Sequence, residues 1–436
     1  MNTATADGRE PSAERTLRLR YGLNETVNWQ QFAAGSHRER IGARFRELDT
    51  HVVRLLIFDK GAPDPLGNWE EFAGCVQAVL NAGSVPMITF AKFGPPYDDA
   101  DAVRAFAGQC AEVVAACVRQ WGGEAVRLWY WCVWHHPNSE WVSAGLTFDH
   151  YRRIYEEVAQ AILRRLTPFL EGRRPLLGGP AVDGFQPFWA DWIWRFVNEI
   201  DNALIGFASW HQFGDWREPG AWGAPADEAI FRALLLARVS EYESRARAVA
   251  RMLKGRGILN VCGELNAHAH HEARVSRLYN QGVFGAAYYA SALIHLIRGG
   301  ADLELWKSGT DDAGPYGLMD GAADLYPAFH AKRFCASHLR PGDRICFPEA
   351  RAGRGVDVIV ARGEGGRRSA LLVHRQDTTA DYEIAELTGG QTGYATLLKI
   401  DRETGGRVVE GRCRDTLFFA GYGVAVVTNV SESQGV

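Results

Sequence analysis

The run Trp129–Trp141, WYWCVWHHPNSEW, decides how this 436-residue chain folds. Alternating large apolar residues from Leu128 to Trp134 predict a buried strand, and Pro137 with Asn138 ends it ahead of a polar turn. Whatever follows such a strand is displayed at its carboxyl end, and here that is an adjacent pair of histidines, His135 and His136.

Outward from this strand, short apolar runs alternate with longer helical patterns from about Leu17 to Leu339, which argues for repeated βα units and a parallel sheet. Candidate strands lie near Leu17–Leu23, Val52–Phe58, Val85–Phe90, Val126–Trp134, Leu176–Gly179, Leu204–Trp210, Gly257–Val261 and Ala301–Trp306. About eight strands interleaved with helices predict a (β/α)8 barrel over residues 17–339. Thr147 is placed to cap a helix whose apolar positions Phe148, Tyr151, Ile154, Tyr155, Val158 and Ile162 fall on one face. Past Pro341 the texture changes to strand-like runs broken by Gly-rich turns, among them VDVIVAR, SALLVHR and DTLFFAGYGVAVVTN. Residues 340–436 therefore read as an antiparallel β-sandwich domain, and the polar residues 1–16 as a flexible N-terminal segment.

The chain is 47% hydrophobic and 11% aromatic, enough for one large core and a smaller second unit. A net charge of -4 offers no basic surface for nucleic acid. The N-terminus has no apolar core of signal-peptide length, and no window has the unbroken apolar length of a membrane span, so a cytoplasmic protein without a membrane partner is expected. Eight cysteines are scattered without paired CxxC spacing and read as buried free thiols. The oligomeric state is not legible.

In a barrel of this kind the site lies at the carboxyl ends of the strands. Those ends give, in order, Asn24 and Glu25; Phe58 to Lys60; Lys92 and Phe93; the turn from His135 to Glu140; Asp183; Trp210, His211 and Gln212; Glu264, Leu265 and Asn266; and Trp306 with Asp311 and Asp312. Flat rings stack on sugar faces while carboxylates, amides and imidazoles bond hydroxyls, so the mixture suits a carbohydrate or a glycosylated small molecule. Substrate-binding expectations fall on Asn24, Lys92, His135, Glu140, Trp210, His211 and Trp306, and Glu264 is the leading catalytic carboxylate.

The Trp129–Trp141 run resembles the strand-four signature of retaining glycoside hydrolases of the family 39 type, a Trp-Tyr-Phe-Glu-Val-Trp-Asn-Glu-Pro-Asn pattern that carries the acid/base glutamate. The matching positions here are Cys132 for the strand glutamate, His135 for the asparagine that contacts the sugar 2-hydroxyl, and His136 for the acid/base. The same resemblance implies that Glu264, at the mouth of strand seven, is the nucleophile. It extends to the LELWKSGTDDAGPYGLMDG segment, with a Trp at the strand end and a Gly-Leu-x-x-x-Gly turn, and to a small terminal sandwich that the amino-terminal segment can join. Retaining hydrolysis needs a second carboxyl group about 5 to 5.5 Å from the first. An imidazole at position 136 has an ordinary pKa of about 6.5 and could protonate a leaving group, although a cationic acid beside an oxocarbenium-like transition state is electrostatically awkward.

His268, His270 and His271, in NAHAHHE just past Glu264, add to His135, His136 and His211 a histidine-rich set on neighbouring strand ends. Imidazoles with a carboxylate build zinc or non-haem iron sites. An HxHH run on a loop is more often solvated, so no metal or other cofactor is expected, and His268, His270 and His271 are the metal candidates should one bind. Three readings stay open. The lead is a glycoside-hydrolase-like enzyme with Glu264 as nucleophile or stabiliser and His136 as acid/base. The others are a non-catalytic sugar-binding pseudoglycosidase and a non-hydrolytic or metal-dependent biosynthetic enzyme.

Overall fold

The computed structural model describes residues 14–25, 29–59, 61–91, 94–270, 272–311, 315–348, 355–384 and 394–429. After a two-residue strand β1 (Arg15–Thr16), eight parallel strands close a barrel in chain order: β2 (Arg20–Asn24), β3 (Val52–Ile57), β4 (Val85–Phe90), β5 (Tyr130–Val133), β6 (Leu177–Val182), β7 (Phe207–Asp215), β8 (Leu259–His268) and β9 (Leu303–Lys307). The seam is β9 on β2, with Arg20 opposite Leu303 and Asn24 opposite Lys307. The (β/α)8 expectation holds. Strand β5 is shorter than expected because Val126 ends a short helix, Gly123–Val126. Strands β7 and β8 run longer, to Asp215 and His268, because they pair with each other along that length.

Side chains alternate across each strand, so each strand serves two cores. One parity fills the barrel: Val52, Met87, Tyr130, Cys132, Ala181, Phe207, Val261, Leu303 and Leu305. The other parity, including Val53, Leu55, Ile57, Trp131, Val133, Trp210 and Trp306, joins the layer between barrel and helices. The helix Phe148–Leu170 begins as expected, its N-cap Thr147 hydroxyl accepting from the His150 amide at 3.2 Å. It buries Tyr151, Ile154, Tyr155, Val158 and Ile162 against that layer.

Alternation fails once where it matters. Counted from the inward Val261, strict alternation would send Glu264 toward the helices. Instead Trp210 lies opposite Cys262 while His211 lies opposite Glu264, so Gly263 is an extra, bulged residue. The bulge re-aims Glu264 into the barrel. Glycine suits position 263, because a Cβ there would lie 2.5 Å from Ser209 Oγ and 3.0 Å from His211 Nε2 and would have to displace those side chains.

The C-terminal unit has strands β10 (Arg344–Cys346), β11 (Val356–Arg362), β12 (Arg368–His374), β13 (Thr379–Glu383), β14 (Ala395–Asp401), β15 (Val409–Cys413), β16 (Thr416–Ala420) and β17 (Gly423–Thr428). Seven strands form an antiparallel sheet in the order β1-β10-β11-β12-β17-β14-β15, and β13 pairs with β16 in a second layer. Val358, Val360, Leu372, Tyr382, Leu417 and Phe419 fill the space between the layers. Strand β1 pairs Arg15 with Ile345 and Thr16 with Arg344, so the end of the segment expected to be flexible is a sheet strand; residues 1–13 lie outside the described residues. Among the described residues no helix is long and apolar enough to cross a membrane.

Candidate functional site

Above the apolar floor of the barrel the inward positions turn polar. On β3, Val53, Leu55 and Ile57 face the helices, so Arg54 points inward, where it is 1% exposed. The same parity turns Thr89, His211 and Lys307 inward from β4, β7 and β9, and the bulge adds Glu264. His135 and His136 follow β5 in a turn whose amides donate to Ala91 O and Ala181 O, both at 3.0 Å. The backbone there is unusual: Trp134 has φ 81° and His136 φ 54°, and Phe58 and Ala181 at neighbouring strand ends have φ 60° and 53°. Non-glycine residues in the left-handed region cost about 1–3 kcal/mol each and gather at functional sites.

Glu264 is fully buried and anchors the constellation. Its Oε1 accepts from Asn24 Nδ2 at 2.8 Å and Arg54 Nη1 at 2.9 Å, and its Oε2 accepts from Lys307 Nζ at 3.1 Å. Lys307 Nζ also lies over the rings of Phe213 and Tyr316, 5.8 and 5.4 Å from their centroids. Arg54 is braced by Thr89 Oγ1 at 2.9 Å and reaches His135 Nδ1 at 3.0 Å. His136 Nε2 and His211 Nδ1 are 2.6 Å apart, and His211 Nδ1 is 3.6 Å from Glu264 Oε2. The His135 and His136 rings stack, with centroids 4.0 Å apart. One ligand atom from each of His135, His136, His211 and Glu264 falls within a 4.8 Å span.

Burial pushes the Glu264 carboxyl upward, yet the charges around it prevail and hold it well below the usual carboxylate range. Burial drives His135 and His211 well below the ordinary histidine value, and lowers His136 as well, against the pull of Glu264 and, for His136, of Asp183. Lys307 contributes most to that lowering, followed by His211, His135 and Arg54. Cys132 is buried among the inward residues, and desolvation pushes its thiol up to about 11, so it is no nucleophile at neutral pH.

Of the residues expected from sequence, Asn24, His135, His136, His211 and Glu264 come together. Trp210 does not: it is fully buried on the helix side, where its Nε1 donates to Asn260 Oδ1 at 2.8 Å and its ring lies beside Trp189. Trp306 is likewise buried, with Nε1 donating to Tyr316 O at 3.0 Å and its ring nearly perpendicular to that of Tyr289, 5.1 Å between centroids. Both tryptophans have the wrong strand parity for a stacking platform. Glu140 sits on the exposed turn and accepts from the Gly145 amide at 3.4 Å. His268 is held by Arg217 O at 2.9 Å and Ser276 Oγ at 3.3 Å, and His270 faces Glu218 at 3.5 Å, so neither joins the metal-capable group, which His135, His136, His211 and Glu264 form instead. Lys92, His271 and Asp312 lie outside the described residues.

Sequence reading missed Arg54, Thr89 and Lys307, and left Glu25 without a role. Glu25 is fully buried and accepts from the Thr310 amide at 2.8 Å, tying the end of β2 to the loop after β9; desolvation raises its pKa to about 8. A cleft of about 680 Å³ opens at the same end of the barrel, lined by Phe58, Asp59, Asp64, Pro95, Tyr97 and Val142.

No family model matches this sequence, and no curated protein sequence does. The fold does have solved counterparts. A GH39 β-xylosidase from Caulobacter crescentus aligns over 96% of this chain and 97% of its own, with TM-score 0.64 and 15% identity. A GH30 endoxylanase from Clostridium papyrosolvens C71 covers 96% and 97%, with TM-score 0.62 and 12% identity. A family 51 α-L-arabinofuranosidase from Bifidobacterium longum covers 96% and 97%, with TM-score 0.65 and 13% identity. At these identities the likeness is one of fold: the chain has the barrel-plus-sheet architecture of glycoside hydrolases of families 39, 30 and 51.

Proposed function

We propose that this chain binds a glycoside or glycosylated small molecule at the carboxyl end of its barrel and acts on it without the two-carboxylate chemistry of retaining hydrolases. One observation carries the proposal. Retaining hydrolysis needs two carboxyl groups about 5 to 5.5 Å apart with the sugar between them, whereas here His211 stands beside Glu264 and its Nδ1 is 2.6 Å from His136 Nε2. An imidazole fills the interval that a reacting sugar carbon would need. Glu264, with both oxygens engaged, then serves as a fixed anion that stabilises positive charge developing on the substrate, and the His136–His211 pair handles the proton.

Saturable binding of 4-nitrophenyl β-xyloside or 4-nitrophenyl α-L-arabinofuranoside, read by tryptophan fluorescence, is the expected result. Incubation with 2-deoxy-2-fluoro glycosides carrying activated leaving groups is expected to leave the protein mass unchanged. A stable glycosyl adduct on Glu264 would overturn the proposal, because Glu264 would then be a nucleophile. The complete burial of Glu264 favours a second reading, a sugar-binding protein without turnover; binding with no product from any of these glycosides is its signature.

A further inference from the structure

We propose that His136, His211 and Glu264, with His135 as a fourth ligand, form a binding site for one divalent first-row transition metal ion of the zinc class. Three imidazoles and one carboxylate are a donor set of that class. They come from three places in the barrel that only its closure brings together: the turn after β5, the inward face of β7 and the bulge of β8. The donor atoms already converge within a 4.8 Å span. Around a tetrahedral ion, donors lie about 3.3 Å apart at bonds of about 2.0–2.1 Å. The His136–His211 pair, now 2.6 Å apart, therefore opens by roughly 0.7 Å, while the 3.6 Å from His211 Nδ1 to Glu264 Oε2 needs little change.

The surrounding groups fit the outer shell of a metal centre. Arg54 bonds Glu264 Oε1 and is itself held by Thr89, which fixes the direction of the carboxylate and leaves Oε2 as the coordinating oxygen; its Nη2 also donates to His135 Nδ1 at 3.0 Å, a bond that must be released before His135 can ligate as the fourth donor. The group in competition is Lys307, whose ammonium now occupies Oε2. It is also the group best able to give way, since the faces of Phe213 and Tyr316 can keep hold of its charge. Lys307 is thus an internal rival of the metal, an ammonium on the oxygen that the ion would take. His135 and Lys307 side chains are 14% and 16% exposed, so the site can be reached from the open end of the barrel. The inference goes beyond the proposed function and does not depend on the substrate being a glycoside; with the ion bound, His136, His211 and Glu264 are its ligands, and the proton and charge roles given to them above belong to the metal-free chain.

Equilibrium titration of the purified chain with Zn²⁺, and with Co²⁺ as a visible ligand-field reporter, tests this directly. One equivalent is expected to bind the natural protein. The loss in His136→Ala and in Glu264→Gln is expected to exceed the about 10–100-fold that removal of an outer-shell partner costs. Lys307→Met, which deletes the rival charge and keeps the apolar stem, is expected to bind at least about tenfold more tightly. Circular dichroism establishes that each variant is folded, and His136, at the rim, is the safer substitution. Three results would each overturn the proposal: no stoichiometric uptake by the natural chain at about 100 µM free metal, uptake confined to Lys307→Met, or uptake indifferent to His136→Ala.

Discussion

Glu25 gives a sharp quantitative test of the environment beneath the site. Its carboxyl is fully buried, and although the backbone at Thr310 and Gly309 and the Thr310 hydroxyl favour the ionised form, desolvation outweighs them and raises the pKa from 4.5 to about 8. At neutral pH it is a protonated acid whose Oε1 accepts from the Thr310 amide and whose Oε2 lies 3.3 Å from the Thr310 hydroxyl. The folded chain keeps this proton between pH 4.5 and about 8 while the unfolded chain loses it. Each pH unit in that window therefore removes about 1.4 kcal/mol of stability, fully present below the unfolded value and lost as pH rises to the folded one. At pH 7 the accumulated loss is about 3 kcal/mol. A Glu25→Gln substitution copies the protonated acid: the amide oxygen accepts from the Thr310 N–H, the amide NH2 donates to the hydroxyl, and there is no charge to acquire. This variant is thus expected to lie within about 1 kcal/mol of the natural protein near pH 5 and to exceed it by about 3 kcal/mol near pH 7. Urea unfolding of both proteins, followed by tryptophan fluorescence across that range, measures the difference directly. A difference independent of pH, or a natural protein that outlasts the variant near pH 8, would refute a neutral buried Glu25.

Three further perturbations test other parts of the structure. Gly263→Ala would press a methyl against Ser209 Oγ and His211 Nε2, and a cost of about 1–3 kcal/mol in thermal unfolding with loss of glycoside binding is expected; normal binding would contradict the role given to the bulge. Trp210→Phe leaves Asn260 Oδ1 without its donor, so a loss of about 1–3 kcal/mol with unchanged glycoside affinity is expected, whereas weakened binding at full stability would restore Trp210 as a sugar platform. His295, on the helix Val283–Gly299, faces Glu243 at 3.0 Å and Asp357 of β11 at 3.7 Å; burial and Arg298 oppose its charge, but the two acids, one of them also paired with Arg375, raise its pKa. The margin of the natural protein over His295→Gln, about 1–3 kcal/mol, is expected in full below the ordinary histidine value of 6.5 and to fade as pH rises through the raised one; a margin that grows with pH would reverse the assignment.

The barrel was legible because its evidence is local. Apolar runs such as Val52–Ile57 and Val85–Phe90 need no partner to be recognised as strands. Half of the site was legible for the same reason, since His135, His136, His211 and Glu264 each stand close to a strand end. Arg54 and Lys307 were not, because a single cation inside VVRLLI or at the end of LELWK gains meaning only when closure sets it against a carboxylate 210 or 43 positions away in sequence. The errors over Trp210 and Trp306 have a different origin. Nearness to a strand end does not bring a side chain into the site, because parity decides: Phe207 and His211, or Leu303 and Lys307, face inward, and the tryptophans between them cannot. Glu264 is the converse case, since parity alone would have turned it away and only the bulge, invisible in sequence, brings it in.

The shortest strand among the described residues closes a circuit. Arg15–Thr16 enters the barrel's first strand from one side, and the Arg344–Cys346 strand that it pairs with leaves the barrel's last helix on the other. The seam between β2 and β9 is therefore fastened twice, once within the barrel and once in the adjoining sheet. Separating first strand from last means undoing both fastenings together, so the place where a barrel of this kind would most easily come apart is cooperative with the C-terminal unit. Amide hydrogens of Arg20–Asn24 should then exchange as slowly as those of the interior strands, and a chain cut at residue 340 should lose that protection first.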